Sequence, residues 1–229
     1  VYFRRCLPLY DVVFTTKSYN VEELPRIGAR QVVFMDKAYD RATHRPLPVT
    51  EEDKERLGAD VIFIGSFEED RARQMLYLTE NGIPVRIWGG RWQGWQNRHP
   101  NLIVEGRPIF GDDYIKALCA SKIALCFLRK MNRDLQTDRT MEIPACGTFM
   151  LGERTREHLR LFEEGKEAEF FDSKKELLQK VRYYLHNEEE RERIAEAGRR
   201  RCIESGYSHH DRLRYILDVV SASYHCKNS

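Results

Sequence analysis

"DVIFIGSFEEDRARQMLYLTENGIPVRIWG" spans residues 60–89. Its first piece, "DVIFIG" (60–65), is apolar at every central position and rich in β-branched residues, which reads as a buried strand. Ser66 and Glu69 follow at the spacing of a capping box, and they open a helix expected over residues 67–81 that Gly82 stops. "VRIWG" (85–89) is then a second strand. Strand, helix and strand in this order form the crossover unit of a parallel sheet.

The alternation continues on both sides. Downstream, "NLIVEG" (101–106) reads as a strand, Asp112 caps a helix to Ala120, and "KIALCFL" (122–128) is a strand. "TDRTMEIPACG" (137–147) supplies a short helix, with Pro144 expected in its first turn and Glu142 near its start. "TFML" (148–151) and "EFFD" (169–172) are further strands. Ser173 and Glu176 box a helix ending near His186. Asn187 caps another, with Glu188, Glu189 and Glu190 early and Arg199, Arg200 and Arg201 late, an order that suits the helix dipole. Ser208 and Asp211 cap the last helix, apolar at Leu213, Ile216, Leu217 and Val220.

Upstream, Thr50 and Asp53 cap a polar helix, and residues 37–49 have the proline and polar content of a linker. Before it lie two strands (11–17 and 31–36), joined by a short helix that Asn20 and Glu23 open and Gly28 ends. The fold class is therefore α/β, a Rossmann-like doubly wound parallel sheet preceded by a smaller unit. Two strands do not make a stable sheet, so that first unit reads as the truncated tail of a larger domain. About 100–150 further residues upstream would give that domain an ordinary size.

Composition narrows the function. Lys and Arg exceed Asp and Glu by only two in 229 residues, which argues against a dedicated nucleic-acid or membrane-surface protein. No apolar stretch approaches the ~20 residues of a membrane span, and the start lacks the order of a signal peptide. None of the six cysteines forms a Cys-x-x-Cys pair. Reduced thiols in a cytoplasmic protein are the expectation, and no histidine has metal-ligand spacing to a cysteine.

Ligands of open parallel sheets bind at the carboxyl ends of strands. Three loops qualify. Gly65–Ser66 in "GSFEEDR" offers backbone N–H groups to a phosphate, with Arg71 as a further donor, although Glu68, Glu69 and Asp70 crowd the same turn; an ordinary strand-to-helix turn is the other reading. "GGRWQGWQNRHP" (89–100) is either a packed loop or a stacking surface for bases. "RKMNRDLQTDR" (129–139) carries Arg129, Lys130, Arg133 and Arg139 beside Asp134 and Asp138, the composition of either an anion clamp or a solvated loop. Glu142 either satisfies backbone donors or accepts hydrogen bonds from ligand hydroxyls.

"RTMEIPACGTFML" (139–151), "LFEEGKEAEFF" (161–171) and "ELLQKVRYYLHNEEERERIAEAGRRR" (176–201), with "DVIFIGS" and "VRIWG", resemble the C-terminal domain of glycosyltransferases of the spore-maturation CgeB type, in the GT-B class. The resemblance implies two Rossmann-like domains. Residues 1–46 would end the acceptor-side domain, 47–207 form the nucleotide-sugar domain, and 208–229 be a helix returning to the first. Many retaining members carry two acids with seven residues between them. Glu142 takes the second place, that of a ribose ligand. Asp134 takes the first, as the catalytic acid, although the glycines usual beside it are absent. Gly65, Ser66, Arg71 and Arg139 would face the pyrophosphate, Arg133 would join the anion clamp, and Tyr114 would lie on the base side. The implied donor is a nucleoside-diphosphate sugar such as a UDP-sugar. The acceptor is a hydroxyl on a sugar, glycan or protein, with no cofactor and no metal, and a dimer is the oligomeric state to look for. A silent nucleotide-binding module or partner subunit is the competing reading, and an α/β domain for protein contacts the third.

Overall fold

The computed structural model describes residues 2–225. The first unit holds α1 (Tyr2–Cys6), β1 (Val13–Thr15), α2 (Asn20–Glu23) and β2 (Val32–Phe34). Then follow α3 (Glu51–Leu57), β3 (Val61–Ile64), α4 (Glu69–Glu80), β4 (Val85–Trp88), β5 (Leu102–Val104), α5 (Gly111–Cys119), β6 (Ile123–Cys126) and α6 (Asp138–Ala145). The chain closes with β7 (Phe149–Glu153), α7 (Arg156–Leu161), β8 (Glu169–Phe171), α8 (Lys174–His186), α9 (Glu188–Glu204) and α10 (His209–His225). β1 and β2 pair in parallel. The other six strands form one parallel sheet in the order β5-β4-β3-β6-β7-β8. This is the doubly wound order, with its switch point between β3 and β6.

Each central strand feeds two cores. Val61 and Phe63 of β3, Ile123 and Leu125 of β6, and Phe149 and Leu151 of β7 pack on the α4 and α8 side. Ile62 and Ile64, Ala124 and Cys126, and Met150 pack on the α5 and α6 side. Alternation within a continuous apolar run is what a strand buried on both faces requires. A slip of one residue would exchange the two faces and pull Phe149 off Tyr184, whose ring centroids lie 4.5 Å apart. The first unit has only a small core of Leu7, Leu24 and Ala29.

Several local expectations are corrected. Thr50 and Asp53 do form a capping box on α3, and Ser208 and Asp211 do so before α10. Ser66 does not cap α4: the cap position is Glu68, and the Phe67 N–H reaches the Gly90 carbonyl instead. Asn20 lies inside α2, where its amide donates to the Thr15 hydroxyl (2.9 Å). Asp112 sits in the first turn of α5 rather than at its cap. α7 was not foreseen; the Thr155 hydroxyl caps it by accepting from the His158 N–H (3.0 Å).

The largest correction concerns α6. It starts at Asp138 after Thr137, so Glu142 lies mid-helix and Pro144 in the last turn rather than the first. Proline lacks the N–H that would bond the Thr140 carbonyl, so α6 gives up one bond of its ladder there. Gly147 (φ 75°) closes it: Gly147 and Thr148 N–H groups bond to the Pro144 and Ile143 carbonyls, at 2.8 and 3.2 Å. That is the Schellman pattern, which needs the left-handed conformation glycine supplies. Cys126, Cys146 and Cys202 are buried free thiols, and Cys6 is exposed; Cys226 lies outside the described residues.

The start of α6 rests on a buried histidine. His158 is fully buried and stacked on Phe170. Its Nδ1 lies 2.6 Å from the Glu153 carbonyl, so Nδ1 carries the hydrogen and donates. Nε2 then accepts from the Thr140 hydroxyl (2.8 Å), whose oxygen accepts from the Thr137 N–H (3.0 Å). Burial pushes His158 down to about 4. The unfolded chain therefore takes up a proton near pH 6.5 that the folded chain refuses, and stability falls as pH drops through the interval from about 6.5 to 4. We expect unfolding free energy to fall by about 2 kcal/mol between pH 7 and pH 5 from this group. Urea titration of the wild type and of His158→Gln checks it, and an equal loss in both proteins would remove His158 as the cause.

Candidate functional site

At the switch point the turns after β3 and β4 meet. The Gly65 N–H donates to the Trp88 carbonyl (2.8 Å), and the Trp92 indole N–H donates to the Gly65 carbonyl (2.9 Å). A Cβ on Gly89 would lie 1.9 Å from the Gly65 oxygen, so only glycine fits. Trp92 and Trp95 are buried among Phe67, Phe63 and Val85. The 89–100 loop is thus a packed buttress for this turn, not a stacking surface.

A cavity of about 430 Å³ opens beside the turn. Lys17, Lys37, Phe63, Ile64, Gly65, Ser66, Arg71, Phe127, Arg129, Asn132, Asp134, Thr137, Asp138 and Arg139 line it. Lys17 and Lys37 follow β1 and β2, so the carboxyl ends of both sheets face one space. Five lining side chains are cationic and two are acidic. Around them the charges pair: Lys17 with Asp134, Lys37 with Asp138 (3.0 Å), and Arg129 with Glu68 (2.8 Å). Burial, then the neighbouring Lys37 charge, lowers the Lys17 ammonium below the usual lysine range.

Arg71 is the least satisfied cation. It is 8% exposed, its Nε has no partner, and its nearest carboxylate, Glu68, stands 3.6 Å away. Its guanidinium lies 5.3 Å from the Phe63 ring centroid. A buried guanidinium with an open donor carries a desolvation cost that an anion in the cavity would offset.

Of the residues singled out from the sequence, Gly65, Ser66, Arg71, Asp134 and Arg139 meet in this cavity. Glu142 and Tyr114 stand directly behind Arg139. Glu142 Oε2 accepts from the Tyr114 hydroxyl (2.7 Å) and from Arg139, and Oε1 lies 3.4 Å from His44 Nε2. Burial, with the Glu142 carboxylate adding to it, raises the Tyr114 hydroxyl well above the usual tyrosine range. Arg139 also lies over the Tyr114 ring, 4.6 Å from its centroid. Arg133 is placed elsewhere. It takes a left-handed backbone (φ 53°), pairs bidentately with Glu23 (2.7 and 2.9 Å) and stacks on Tyr19.

Lys17, Lys37 and His44 had no place in the sequence-derived site. The two lysines were findable, since each follows the end of a strand, where the rule for open sheets puts ligands. His44 gave no such signal. Among the described residues no cluster of three or more His, Cys, Asp or Glu side chains has the geometry of a metal site, and no helix is long and apolar enough to cross a membrane.

The sequence model of the family described as "glycosyl transferase-like" matches residues 71–218. No curated protein matches the chain. Among solved structures, sucrose-phosphate synthase from Thermosynechococcus elongatus superposes with a TM-score of 0.72 at 13% identity, over 98% of this chain. The chain spans 61% of the length of that enzyme. Anabaena HepE in complex with UDP and glucose gives 0.73 at 11%, over 96% of this chain and 66% of its own. A glycosyltransferase from Rickettsia africae gives 0.69 at 15%, over 100% and 67%. At such identities the likeness is one of fold, that of the GT-B glycosyltransferases.

The glycine contact at the head of the cavity has a direct test. Gly89→Ala forces the β3 and β4 turns apart and is expected to cost about 1–3 kcal/mol, as overpacking does. Gly90→Ala, whose added methyl meets nothing within 4 Å, is the control. Equal melting temperatures for the two variants would show that the close approach does not hold the turn.

Proposed function

The chain belongs to the glycosyl transferase-like family, and on that premise we propose that it binds a nucleoside-diphosphate sugar in the switch-point cavity and takes part in transfer of the sugar to a hydroxyl acceptor. Within the family we assign it to the CgeB-like type, on the resemblance of residues 139–151 and 161–201. The observation that carries the reading is the cationic cavity, with Arg71 buried and short of a partner.

The chemistry follows from the charges. Breaking the glycosidic bond leaves an oxocarbenium-like sugar and a diphosphate. Arg71 and Arg139, with the Gly65–Ser66 turn, bind the diphosphate oxygens and stabilise the charge that grows on them. Lys17 and Lys37 add to this from the first unit. With that much fixed positive charge, the leaving group needs no divalent ion. Glu142 accepts the ribose hydroxyls, which replace part of its present contacts. Asp134, 9% exposed at its side chain and paired with Lys17, faces the donor sugar.

We assign residues 1–46 to the acceptor side, 47–207 to the donor domain and 208–229 to a returning segment. α10 supports this. Its first residue donates its N–H to the Tyr39 carbonyl (2.9 Å), and Ser223 lies 3.5 Å from Gln31. UDP and UDP-glucose are bound in HepE structures, and they supply the first probes for this chain.

Calorimetry with UDP, GDP and their sugars tests the proposal. Glu142→Gln is expected to weaken nucleotide binding about 10- to 100-fold, the loss of a charge-assisted hydrogen bond, and also to lower the melting temperature because Arg139 loses its ion-pair partner. Asp134→Asn is expected to leave nucleotide affinity within about threefold while lowering donor hydrolysis or transfer. Absence of binding to any of these nucleotides would falsify the proposal. Binding without turnover in any acceptor mixture would reduce the chain to a nucleotide-sugar carrier.

A further inference from the structure

We propose that His44 is a positioning residue of the nucleotide site: it holds the Glu142 carboxylate in the orientation that meets the ribose, and ties that acid to the segment joining the two units. The inference rests on the reading of Glu142 as the ribose ligand. His44 belongs to the turn after β2. The Asp40 carboxylate ties this turn by accepting from the N–H groups of Ala42 (3.0 Å) and Thr43 (2.7 Å), and the His44 N–H closes it on the Asp40 carbonyl (2.8 Å). The first half of the turn is anchored to the start of α10 and the residues just before it. Tyr39 bonds through its backbone to Tyr207 and His209, and Arg41 pairs with Asp211 (2.7 Å).

The ring's tautomer follows from these contacts. Nδ1 accepts from the Asp40 N–H (3.0 Å), so the neutral ring carries its hydrogen on Nε2. Nε2 lies 3.4 Å from Glu142 Oε1, the carboxylate oxygen that Tyr114 and Arg139 leave open. The ring also meets Tyr114 edge-on, with centroids 6.2 Å apart. Burial holds His44 below the usual imidazole range, against the pull of Glu142 and Asp40. A neutral donor suits the purpose, because it orients the carboxylate without neutralising it. Tyr114 and Arg139 fix one oxygen, and His44 fixes the rotation about the last torsion.

The test uses the full 229-residue chain. UDP, GDP and ADP are titrated by calorimetry. The tightest binder is then carried forward beside its 2′,3′-dideoxy analogue, which lacks the hydroxyls Glu142 would accept. His44→Ala and His44→Asn are expected to weaken the ribonucleotide about fivefold, as the polar contact that orients Glu142 is lost. His44→Gln, whose amide N–H reaches the place of Nε2, is expected to stay within about twofold of the wild type. Binding of the dideoxy analogue is expected to be the same in all four proteins. A general loss of structure would lower both ligands together and would not be rescued by glutamine, and that pattern overturns the proposal. Wild-type affinity in His44→Ala overturns it too, while a weakened Glu142→Gln in the same titrations keeps the ribose reading standing. If Glu142→Gln binds as the wild type does, the ribose reading itself fails and His44's role with it.

Discussion

Between β3 and β6 the chain turns back across the sheet. The segments leaving these two strands go to opposite faces: α4 packs against one core, α6 against the other. The cavity opens at the strand ends where they diverge, and the charged groups of the site line it. The topology sets the place of the cavity. The two apolar cores, built by alternation along β3, β6 and β7, fix the strands that frame it. Gly65 and Gly89, pressed together beside the cavity, tie the β3 turn to the β4 turn. Polar side chains needed only to be supplied at the ends of strands already held in position.

The cavity's charges are balanced by neighbours, not by water alone. Asp134, Asp138, Glu68 and Glu142 each hold a cation that faces the space. Like-charged lysines and arginines can therefore stand close together before an anion arrives. A diphosphate would exchange partners with these acids rather than meet bare charge. Arg71 is the exception, with an open Nε donor and an apolar ring beneath it.

Much of this was legible in the sequence. Each strand of the large sheet follows from an apolar run bounded by turn residues, and the order of strands and helices gives the doubly wound architecture. Gly65, Ser66, Arg71, Asp134 and Arg139 follow from the rule that ligands meet strand ends. Local reading failed where two signals competed. Pro144 pointed to the first turn of a helix, but Thr137 and Thr140, locked by the buried His158, start α6 a turn earlier. Ser66 and Glu69 had capping spacing, but the Phe67 N–H is drawn to Gly90 across the turn. Arg133 looked like part of the clamp, yet Glu23, 110 residues away, claims it. His44 and Glu142 meet only because the chain folds back, and no local pattern encodes that.

The joint between the two units has a character of its own. Gln136, almost fully buried, donates to Asp36 (2.8 Å) and Glu157 (2.7 Å) and accepts from the Lys37 N–H (2.9 Å). Asp36 also gathers Arg160 and, at 3.8 Å, Arg212. Tyr39 and the ring contacts of Tyr19, Phe34 and His44 apart, the contacts described across this seam are polar: ion pairs, amide bonds and one backbone bridge. A polar seam behaves mechanically unlike an apolar one. Sliding along it exposes little oily surface but would strip the buried Gln136 amide of its partners, so the seam yields first at its half-exposed ion pairs. Dissolved salt acts on it as a lubricant, because screening weakens the half-exposed pairs first. The two halves of the cavity thus meet along a bearing surface, while each half keeps its own shape through its own core.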